Sequence, residues 1–249
     1  MTLGKLNERH ALVTGGGSGI GRAIAESLMS AGARVTVTGR RLEALQSVSG
    51  ANAVAMDVTD EASVIEGIAS ARAAFGPVQI CIANAGIAEG ASLARTDAQM
   101  WRRIMATNLD GAFHTIRACL PDMDDWGRVI AVSSIAGLKG LKGASAYTAS
   151  KHGMIGLIRA LAADHLGRGV TFNALCPGYV DTAIVTDNTS RIMARTGMSE
   201  ADARDVMIGQ NAHRRLIEVD EVADAAIWLC SDGARSVNGQ AIQIAGGQY

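Results

Sequence analysis

Tyr147 and Lys151, in the run Tyr-Thr-Ala-Ser-Lys, are the residues whose types and spacing point most directly to chemistry. Four positions apart on a helix, their side chains lie on one face, so the ammonium can approach the phenol. A free phenol titrates near ~10, and bringing its pKa to ~7 requires about 4 kcal/mol of preference for the phenolate. One cation ~5 Å away, at an effective dielectric constant of ~20, supplies roughly 3 kcal/mol. The spacing therefore predicts a proton-transfer tyrosine that needs Lys151 and a second positive charge; a surface Tyr–Lys pair without function is the alternative.

Two further polar positions are candidates for the same site. Ser133 and Ser134 end an apolar run, and a hydroxyl at the carboxyl end of a strand can donate to a substrate oxygen. Because strand neighbours point to opposite faces, we expect only one serine to face the crevice; a hydroxyl bonded to backbone is the alternative. Asn108 lies within a predicted helix, where its amide competes with backbone hydrogen bonds. We expect Asn108 to break that helix locally, or else to be an ordinary polar helix residue.

A glycine-rich run, GGGSGIG, occupies residues 15–21 between the apolar run ALVT and the helical run RAIAESLMSAG. Glycines at a strand-to-helix turn let the backbone approach a pyrophosphate, whose charge the free N–H groups and the helix dipole stabilise. The spacing is G-x-x-x-G-x-G, formed by Gly15, Gly19 and Gly21, rather than the usual G-x-G-x-x-G. The run predicts a dinucleotide phosphate site; a purely structural turn is the alternative.

The end of the second predicted strand, RVTVT, indicates which dinucleotide binds. Folds that select NAD carry an acidic residue about twenty positions after the glycines, where its carboxylate accepts from the ribose 2′-hydroxyl. This chain has Gly39-Arg40-Arg41 there, with no acceptor and two guanidinium groups, one of which can hold a 2′-phosphate. We expect NADP(H) to be preferred, through Arg40, with NAD(H) as the second choice; two solvated arginines that open the next helix are the alternative.

Alternating strands and helices must position these residues. Short runs rich in β-branched residues alternate with segments of helical period, which is typical of repeated βα units around a parallel sheet. We predict strands at residues 11–14, 34–38, 53–56, 78–83, 128–133, 170–175 and 241–244, and helices near 19–31, 61–75, 99–120, 146–166 and 219–230. The pattern predicts an α/β fold, a Rossmann-type doubly wound parallel sheet of about seven strands with helices on both faces.

The chain is expected to form one domain over residues 1–249, because it has no internal repeat, low-complexity tract or linker. Residues 181–215 interrupt the alternation and are rich in Thr, Asn, Asp, Arg and Met. Ligands bind beyond the carboxyl ends of strands in such folds, so we expect this segment to cover the substrate as a lid. A solvated helical excursion is the alternative.

Composition argues against several classes of partner. Twenty-three basic and twenty-four acidic side chains give a formal charge of −1, so no overall field favours nucleic acid or an anionic membrane. We find neither a secretory signal nor an apolar run of membrane-spanning length, and expect a cytoplasmic protein with a small-molecule substrate. The four cysteines and five histidines show no metal-site spacing. We expect the cysteines to be buried hydrophobic residues and the histidines to be structural or solvated.

TGGGSGIG is similar to the glycine motif of the short-chain dehydrogenases/reductases, and the resemblance extends over essentially the whole chain. It selects Ser134 over Ser133 through the element S-S-x-A-G at residues 133–137, and it implies that Asn108 holds a water that relays protons to Lys151. Members are mostly tetramers, so we expect a homotetramer. Six residues of the predicted helix 146–166 form an apolar, small-residue surface that agrees with this: Gly153, Met154, Gly156, Leu157, Leu161 and Ala162.

The resemblance also implies a set of cofactor contacts. An Asp placed like Asp57 reaches the adenine, unless it caps the next helix. The element NAG at residues 84–86 lies against the nicotinamide-side ribose, although many members carry asparagine where this chain has Ala83. PGYVDT, residues 177–182, abuts the carboxamide and a phosphate, with loop packing as the alternative. The implied contacts are Gly15, Gly17, Ser18, Gly19, Ile20, Gly21, Arg40, Asp57, Val58, Asn84, Ala85, Gly86, Tyr147, Lys151, Pro177, Gly178, Val180 and Thr182.

The implied activity is NAD(P)-dependent interconversion of a ketone and a secondary alcohol. The motifs and the ending SVNGQAIQIAGGQY look most like those of 3-oxoacyl-thioester and polyketide ketoreductases, which implies a β-keto acyl substrate reduced with NADPH. A catabolic dehydrogenase of a 3-hydroxy acid, a cyclic alcohol or a steroid would use the same residues. A non-catalytic dinucleotide sensor is the alternative outside enzymes, but it would not need all four candidate catalytic residues.

Overall fold

A parallel sheet of seven strands forms the centre of the molecule in the computed structural model, which describes residues 6–123 and 125–247. The strands are β1 His10–Thr14, β2 Arg34–Gly39, β3 Asn52–Ala55, β4 Ile80–Ala83, β5 Gly127–Val132, β6 Val170–Pro177 and β7 Ala241–Ile244. Their spatial order is β3-β2-β1-β4-β5-β6-β7. The order reverses between β1 and β4, so the crevice that binds ligands in such sheets lies at their carboxyl ends. The predicted doubly wound fold is confirmed.

Helices cover both faces of this sheet. They are α1 Gly19–Ser30, α2 Leu42–Gln46, α3 Glu61–Phe75, α4 Ala98–Met105, α5 Gly111–Cys119, α6 Ser145–Asp164, α7 Ala183–Thr196, α8 Glu200–Ile208 and α9 Val219–Cys230. One apolar core joins the sheet to α1 and α9, and the other joins it to α3, α5 and α6. Every residue of β4, β5 and β6 is buried, as expected for a parallel sheet with both faces covered.

The predicted boundaries hold to within two residues at each end of every predicted strand, and β7, α3 and α9 match their predictions. The helix predicted over 99–120 is interrupted by a π-helical turn, Ala106–Asp110, between α4 and α5. The short helix α2 was not predicted, and residues 181–215 contain the two helices α7 and α8. Helices in that segment were predicted only as the alternative to a lid, and the structure shows that the segment is largely helical.

Three further observations concern the cysteines, metal binding and membrane-spanning helices. All four cysteines are buried, as predicted. Across residues 6–123 and 125–247, no group of His, Cys, Asp and Glu residues is arranged to hold a metal ion. No described helix combines the length and apolar character that crossing a membrane requires.

The apolar surface predicted on α6 is partly wrong. Met154 and Ala162 are buried in the chain's own core, and a Cβ on Gly153 would lie 2.8 Å from a methyl group of Leu109. Their apolar character serves packing of α6 against the sheet and against the π-helical turn. These residues therefore provide little spare surface for a partner subunit.

Candidate active site

The glycine turn between β1 and α1 is shaped so that only glycine fits at three positions. Gly15 and Gly19 have φ values of +64° and +52°, in the left-handed region. A Cβ on Gly21 would lie 2.4 Å from both the Gly15 carbonyl oxygen and Asn84 Nδ2. Ser18 precedes α1 with extended backbone and makes no side-chain capping hydrogen bond. The turn thus presents backbone N–H groups at a helix N-terminus, and these residues fit a dinucleotide pyrophosphate.

The loop after β4 is tied to the glycine turn through Asn84. Its Nδ2 donates to the carbonyl oxygens of Thr14 at 2.9 Å and Gly15 at 3.3 Å. The Thr14 hydroxyl in turn accepts from the backbone N–H groups of Asn84 and Ala85, at 3.0 and 2.9 Å. Thr14 and Asn84 therefore hold the loop after β4 and the glycine turn together, beside Ala83 at the end of β4.

Arg40 and Asp57 lie near one another beyond the ends of β2 and β3. Arg40 is exposed, and β2 ends without a carboxylate, as predicted. The pKa of Asp57 is lowered mainly by the Thr59 backbone N–H, with smaller contributions from the Thr59 hydroxyl and the charge of Arg40. The alternative that Asp57 caps a helix is wrong, because Asp60 caps α3 by accepting from Ala62 N at 3.0 Å.

Val58 and Ile20 differ in what they can offer a cofactor. The Val58 side chain is buried against α5, where a Cβ on Gly111 would approach it to 2.7 Å. Any contact from Val58 to a cofactor is therefore limited to its backbone. Ile20, in contrast, lines the cavity that contains Ser134 and Tyr147.

Tyr147 and Lys151 lie on one face of α6, as their spacing predicts. Lys151 is buried, and its Nζ lies 5.8 Å from the centre of the Tyr147 ring while donating to the Val132 carbonyl oxygen at 2.8 Å. Burial lowers the pKa of Lys151 to about 8. Burial also raises the pKa of Tyr147, and a hydrogen bond with the Ser134 hydroxyl opposes that rise. The prediction that Lys151 and a second positive charge together lower the phenol pKa concerns the enzyme with its cofactor bound, and it stays a prediction.

The two candidate serines follow the end of β5 and both line the cavity, so the expectation that only one faces the crevice is wrong, but their contacts differ. Ser133 donates from its hydroxyl to the Lys151 carbonyl oxygen at 3.1 Å, which fixes β5 to α6. Ser134 accepts from Ala136 N at 3.1 Å and reaches the phenol of Tyr147. The structure therefore brings Ser134, rather than Ser133, together with Tyr147.

Asn108 lies in the π-helical turn and is completely buried, so the predicted local break of the helix is confirmed. Its Oδ1 accepts from Ile87 N at 2.8 Å, and its Nδ2 donates to Ile87 O and Ser150 Oγ, both at 3.0 Å. A Cβ on Gly86 would lie 3.2 Å from Asn108 Oδ1 and 3.5 Å from Lys151 Nζ. Gly86 thus lies beside both side chains, and Asn108 is in place to organise polar groups around Lys151.

A cavity of about 810 Å³ opens in front of Ser134 and Tyr147. Pro177, Gly178, Val180 and Thr182 line it, together with residues of α7 and α8. The Thr182 methyl group lies 3.3 Å from the position of a Cβ on Gly19, so the loop after β6 meets the glycine turn. One continuous site therefore extends from the glycine turn to the candidate catalytic residues.

Comparison with known proteins decides the family. The family model described as short chain dehydrogenase matches residues 9–192. This protein belongs to the short-chain dehydrogenase family. It is similar to the acetoacetyl-CoA reductase of Rhizobium meliloti (strain 1021), with 36% identity over 97% of this chain and 98% of that protein.

Other members of the short-chain dehydrogenase family are similar over the same length. The D-beta-hydroxybutyrate dehydrogenase of Cupriavidus necator is 35% identical over 97% of this chain and 98% of its own. The crystal structure of a variant of actinorhodin polyketide ketoreductase with NADPH superposes with a TM-score of 0.92 at 30% identity, covering 96% of this chain and 97% of that one. As a family member, this short-chain dehydrogenase is an NAD(P)-dependent oxidoreductase acting on CH–OH groups and ketones.

Asn211 is a residue of this short-chain dehydrogenase that sequence reasoning missed. It is completely buried; its Oδ1 accepts from Tyr179 N at 3.0 Å, and its Nδ2 donates to the carbonyl oxygens of Tyr179 and Arg215, both at 2.8 Å. Gly178 has no room for a Cβ, which would lie 2.6 Å from Asn211 Oδ1. Asn211 therefore fixes the loop after β6 through two hydrogen bonds with the backbone of Tyr179, a residue 32 positions earlier in the chain that no local sequence pattern connects to it.

Burial of Lys151 makes a prediction about stability and pH. A lysine whose pKa falls from 10.5 to about 8 on folding binds its proton more tightly in the unfolded chain. The free-energy cost of burying the charged ammonium is therefore fully present below about pH 8, and it disappears as the pH rises towards 10.5. Relative to Lys151→Met, we expect the free energy of unfolding of the natural protein to rise by at most about 3 kcal/mol over this range.

Urea unfolding of both proteins at several pH values in that range would measure the difference. Comparison with the methionine variant cancels the titration of all other groups. Parallel stability curves for the two proteins would show that Lys151 keeps an ordinary pKa in the folded state.

Proposed function

We propose that this enzyme reduces the ketone of a 3-oxoacyl substrate to the secondary alcohol, with NADPH as the preferred hydride donor. The observation that supports it most directly is that Ser134 and Tyr147 line one cavity, which also reaches the glycine turn. The acetoacetyl-CoA reductase of Rhizobium meliloti and the polyketide ketoreductase structure agree with this substrate class.

In the proposed reaction, Ser134 and Tyr147 hold the ketone oxygen through hydrogen bonds. When bound, the nicotinamide ring supplies the hydride that adds to the carbonyl carbon. Tyr147 donates its proton to the oxygen, so that the ketone, one hydride and one proton become the secondary alcohol. Ser134 stabilises the negative charge that develops on the oxygen. Lys151 and the group of polar atoms around Asn108 then return a proton to Tyr147.

Residues 181–215 serve as the cover of the substrate in this proposal. Within this segment, Val185, Asn188 and Ile192 of α7 and Met207 of α8 line the cavity. Val185 and Met207 also pack with Leu216 in a small apolar cluster separate from the two main cores. A segment with its own small core can move as a unit, which suits binding of cofactor before substrate.

Arg40 is proposed to select NADP(H) by pairing with the 2′-phosphate. Replacement by alanine, Arg40→Ala, removes the charge that would pair with the 2′-phosphate of NADPH, a group that NADH does not carry. We expect kcat/KM for NADPH to fall about tenfold to one hundredfold, with little change for NADH. Initial rates with both cofactors would measure this, with Arg41→Ala as the matched variant. Equal loss with both cofactors would contradict the assignment.

A catabolic dehydrogenase of a 3-hydroxy acid is the second candidate function, favoured by the similarity to the D-beta-hydroxybutyrate dehydrogenase. The two functions differ in preferred substrate and direction. A cofactor-consumption screen with NADPH and NADH against β-keto esters, acyl thioesters, cyclic ketones and steroids, and with 3-hydroxy acids in the reverse direction, separates them. Binding of NADPH without consumption by any of these would instead indicate a dinucleotide sensor.

A homotetramer is proposed for the enzyme, as in most of its family. Trp101 on α4 and Phe113 on α5 are each 40% exposed, and aromatic side chains are enriched at protein–protein interfaces. We expect sedimentation velocity to give a mass about four times that of one chain, and Trp101→Glu to shift it towards smaller species. Sedimentation of the natural protein as a monomer would refute the assembly.

A further inference from the structure

The cavity in front of Tyr147 has two chemically different sides. Its lid side, formed by α7, α8 and the loop after β6, is mostly apolar and includes Val185, Ile192 and Met207. Its second side is formed by residues 88–92, 95 and 141–144, which belong to two loops. A substrate that is complementary to this cavity therefore has one apolar part and one polar part.

Charge is concentrated on the second side. Of the described residues that line the cavity, only Glu89, Arg95 and Lys142 are charged. Glu89 is paired with Arg103, which donates from Nη2 to Oε2 at 2.7 Å and from Nε to Oε1 at 3.2 Å. Arg95 donates only from its Nε, to Ser92 Oγ at 3.4 Å, and within the described part of the chain neither Arg95 nor Lys142 has an ion-pair partner. The described residues that line the cavity therefore carry a net positive charge.

The two loops that carry these cations are in contact. A Cβ on Gly90 would lie 3.0 Å from the Gly143 carbonyl oxygen, so the backbones of the two loops meet there. Arg95 and Lys142 are both exposed, whereas Ser134 is buried within the cavity. Arg95 and Lys142, called here the basic rim, thus lie at the open end of the site, away from the reacting groups.

We propose that the basic rim binds the phosphate of a phosphopantetheine arm whose thioester carries the 3-oxoacyl group. This inference rests on the proposed function and names its substrate class. The ketone then lies at Ser134 and Tyr147, the acyl chain contacts α7 and α8, and the arm leaves the cavity between the two loops. Guanidinium and ammonium groups are the usual protein partners of phosphate. A free 3-oxo acid has its carboxylate next to the ketone and would need a cation beside Tyr147 instead.

Steady-state kinetics with three acetoacetyl thioesters test the basic rim: the pantetheine ester, which has no phosphate, the phosphopantetheine ester and the coenzyme A ester. We expect Arg95→Gln and Lys142→Gln each to raise KM for the two phosphorylated esters about fivefold, and the double variant to raise it more than tenfold. KM for the pantetheine ester and kcat for all three should not change. Arg102→Gln, which removes an exposed guanidinium on α4 outside the cavity, is the matched control and should change none of these values.

Salt supplies an independent readout. KM of the natural enzyme for the phosphorylated esters should rise with ionic strength, while KM for the pantetheine ester stays constant, because only charged partners are screened. An effect on both phosphorylated esters assigns the phosphate shared by coenzyme A and carrier-bound substrates; an effect on the coenzyme A ester alone assigns its nucleotide phosphates and overturns the phosphopantetheine contact.

The outcomes separate this inference from the proposed function. If the natural enzyme reduces none of the three esters but oxidises or reduces another substrate, the proposed function is wrong. The phosphate site proposed at the basic rim is then wrong as well, because it was inferred from that function. If the natural enzyme reduces all three esters, and the rim variants change KM equally for all three, the proposed function stands and the phosphate site is wrong. If Arg95→Gln and Lys142→Gln lower turnover of free acetoacetate as much as turnover of the phosphorylated esters, relative to the natural enzyme, the basic rim binds a carboxylate and the phosphate site is wrong.

Discussion

Replacing Tyr147 by phenylalanine is expected to lower kcat by about 1,000-fold or more, since general acid catalysis by one positioned group contributes on that order. The phenyl ring keeps the packing of α6 and removes the only atom that donates the proton in the proposed reaction. Dinucleotide affinity, measured by the fluorescence of bound NADPH, should change little. Single-turnover mixing of enzyme, NADPH and ketone would show the loss in the chemical step itself.

Tyr179→Phe is the matched control for that variant. Tyr179 also lines the cavity, and burial raises the pKa of its phenol as it does for Tyr147. It has no comparable contact with Ser134, so we expect its loss of kcat to stay below about tenfold. Turnover by Tyr147→Phe at the rate of Tyr179→Phe would remove Tyr147 from the reaction.

Gly21→Ala is expected to weaken dinucleotide binding strongly. The added Cβ would lie 2.4 Å from the Gly15 carbonyl oxygen and from Asn84 Nδ2, so the glycine turn and the loop after β4 must move apart. These two segments together form the proposed phosphate and ribose contacts. We expect the Kd for NADPH to rise at least about one hundredfold and the free energy of unfolding to fall by about 1–3 kcal/mol.

Gly233→Ala controls for the loss of a glycine as such, because its added Cβ would meet only the Ser231 hydroxyl, at an ordinary 3.4 Å. It should bind NADPH as tightly as the natural protein. Equilibrium titration of NADPH and thermal unfolding of both variants give the two quantities. Normal NADPH affinity in Gly21→Ala would mean that the turn does not hold the dinucleotide.

The sequence predicted those features that depend on short stretches of chain. A four-residue spacing fixes two side chains on one helix face, so Tyr147 and Lys151 were predicted to lie together and do. The apolar runs predicted all the strands of the sheet, because parallel strands covered on both faces are continuously apolar. The break in the helix at Asn108 followed from its amide, which competes for backbone hydrogen bonds.

Tertiary structure alone decided how these groups are used. The ammonium of Lys151 donates to the carbonyl oxygen of Val132, a residue of another element, and burial raises the pKa of Tyr147. The two hydrogen bonds between Asn211 and Tyr179, and the meeting of the loops that carry Arg95 and Lys142, join segments far apart in the chain. Hydrophobic periodicity reports which face of an element is buried, but the partner of a buried polar group is set by whichever backbone the fold brings to it.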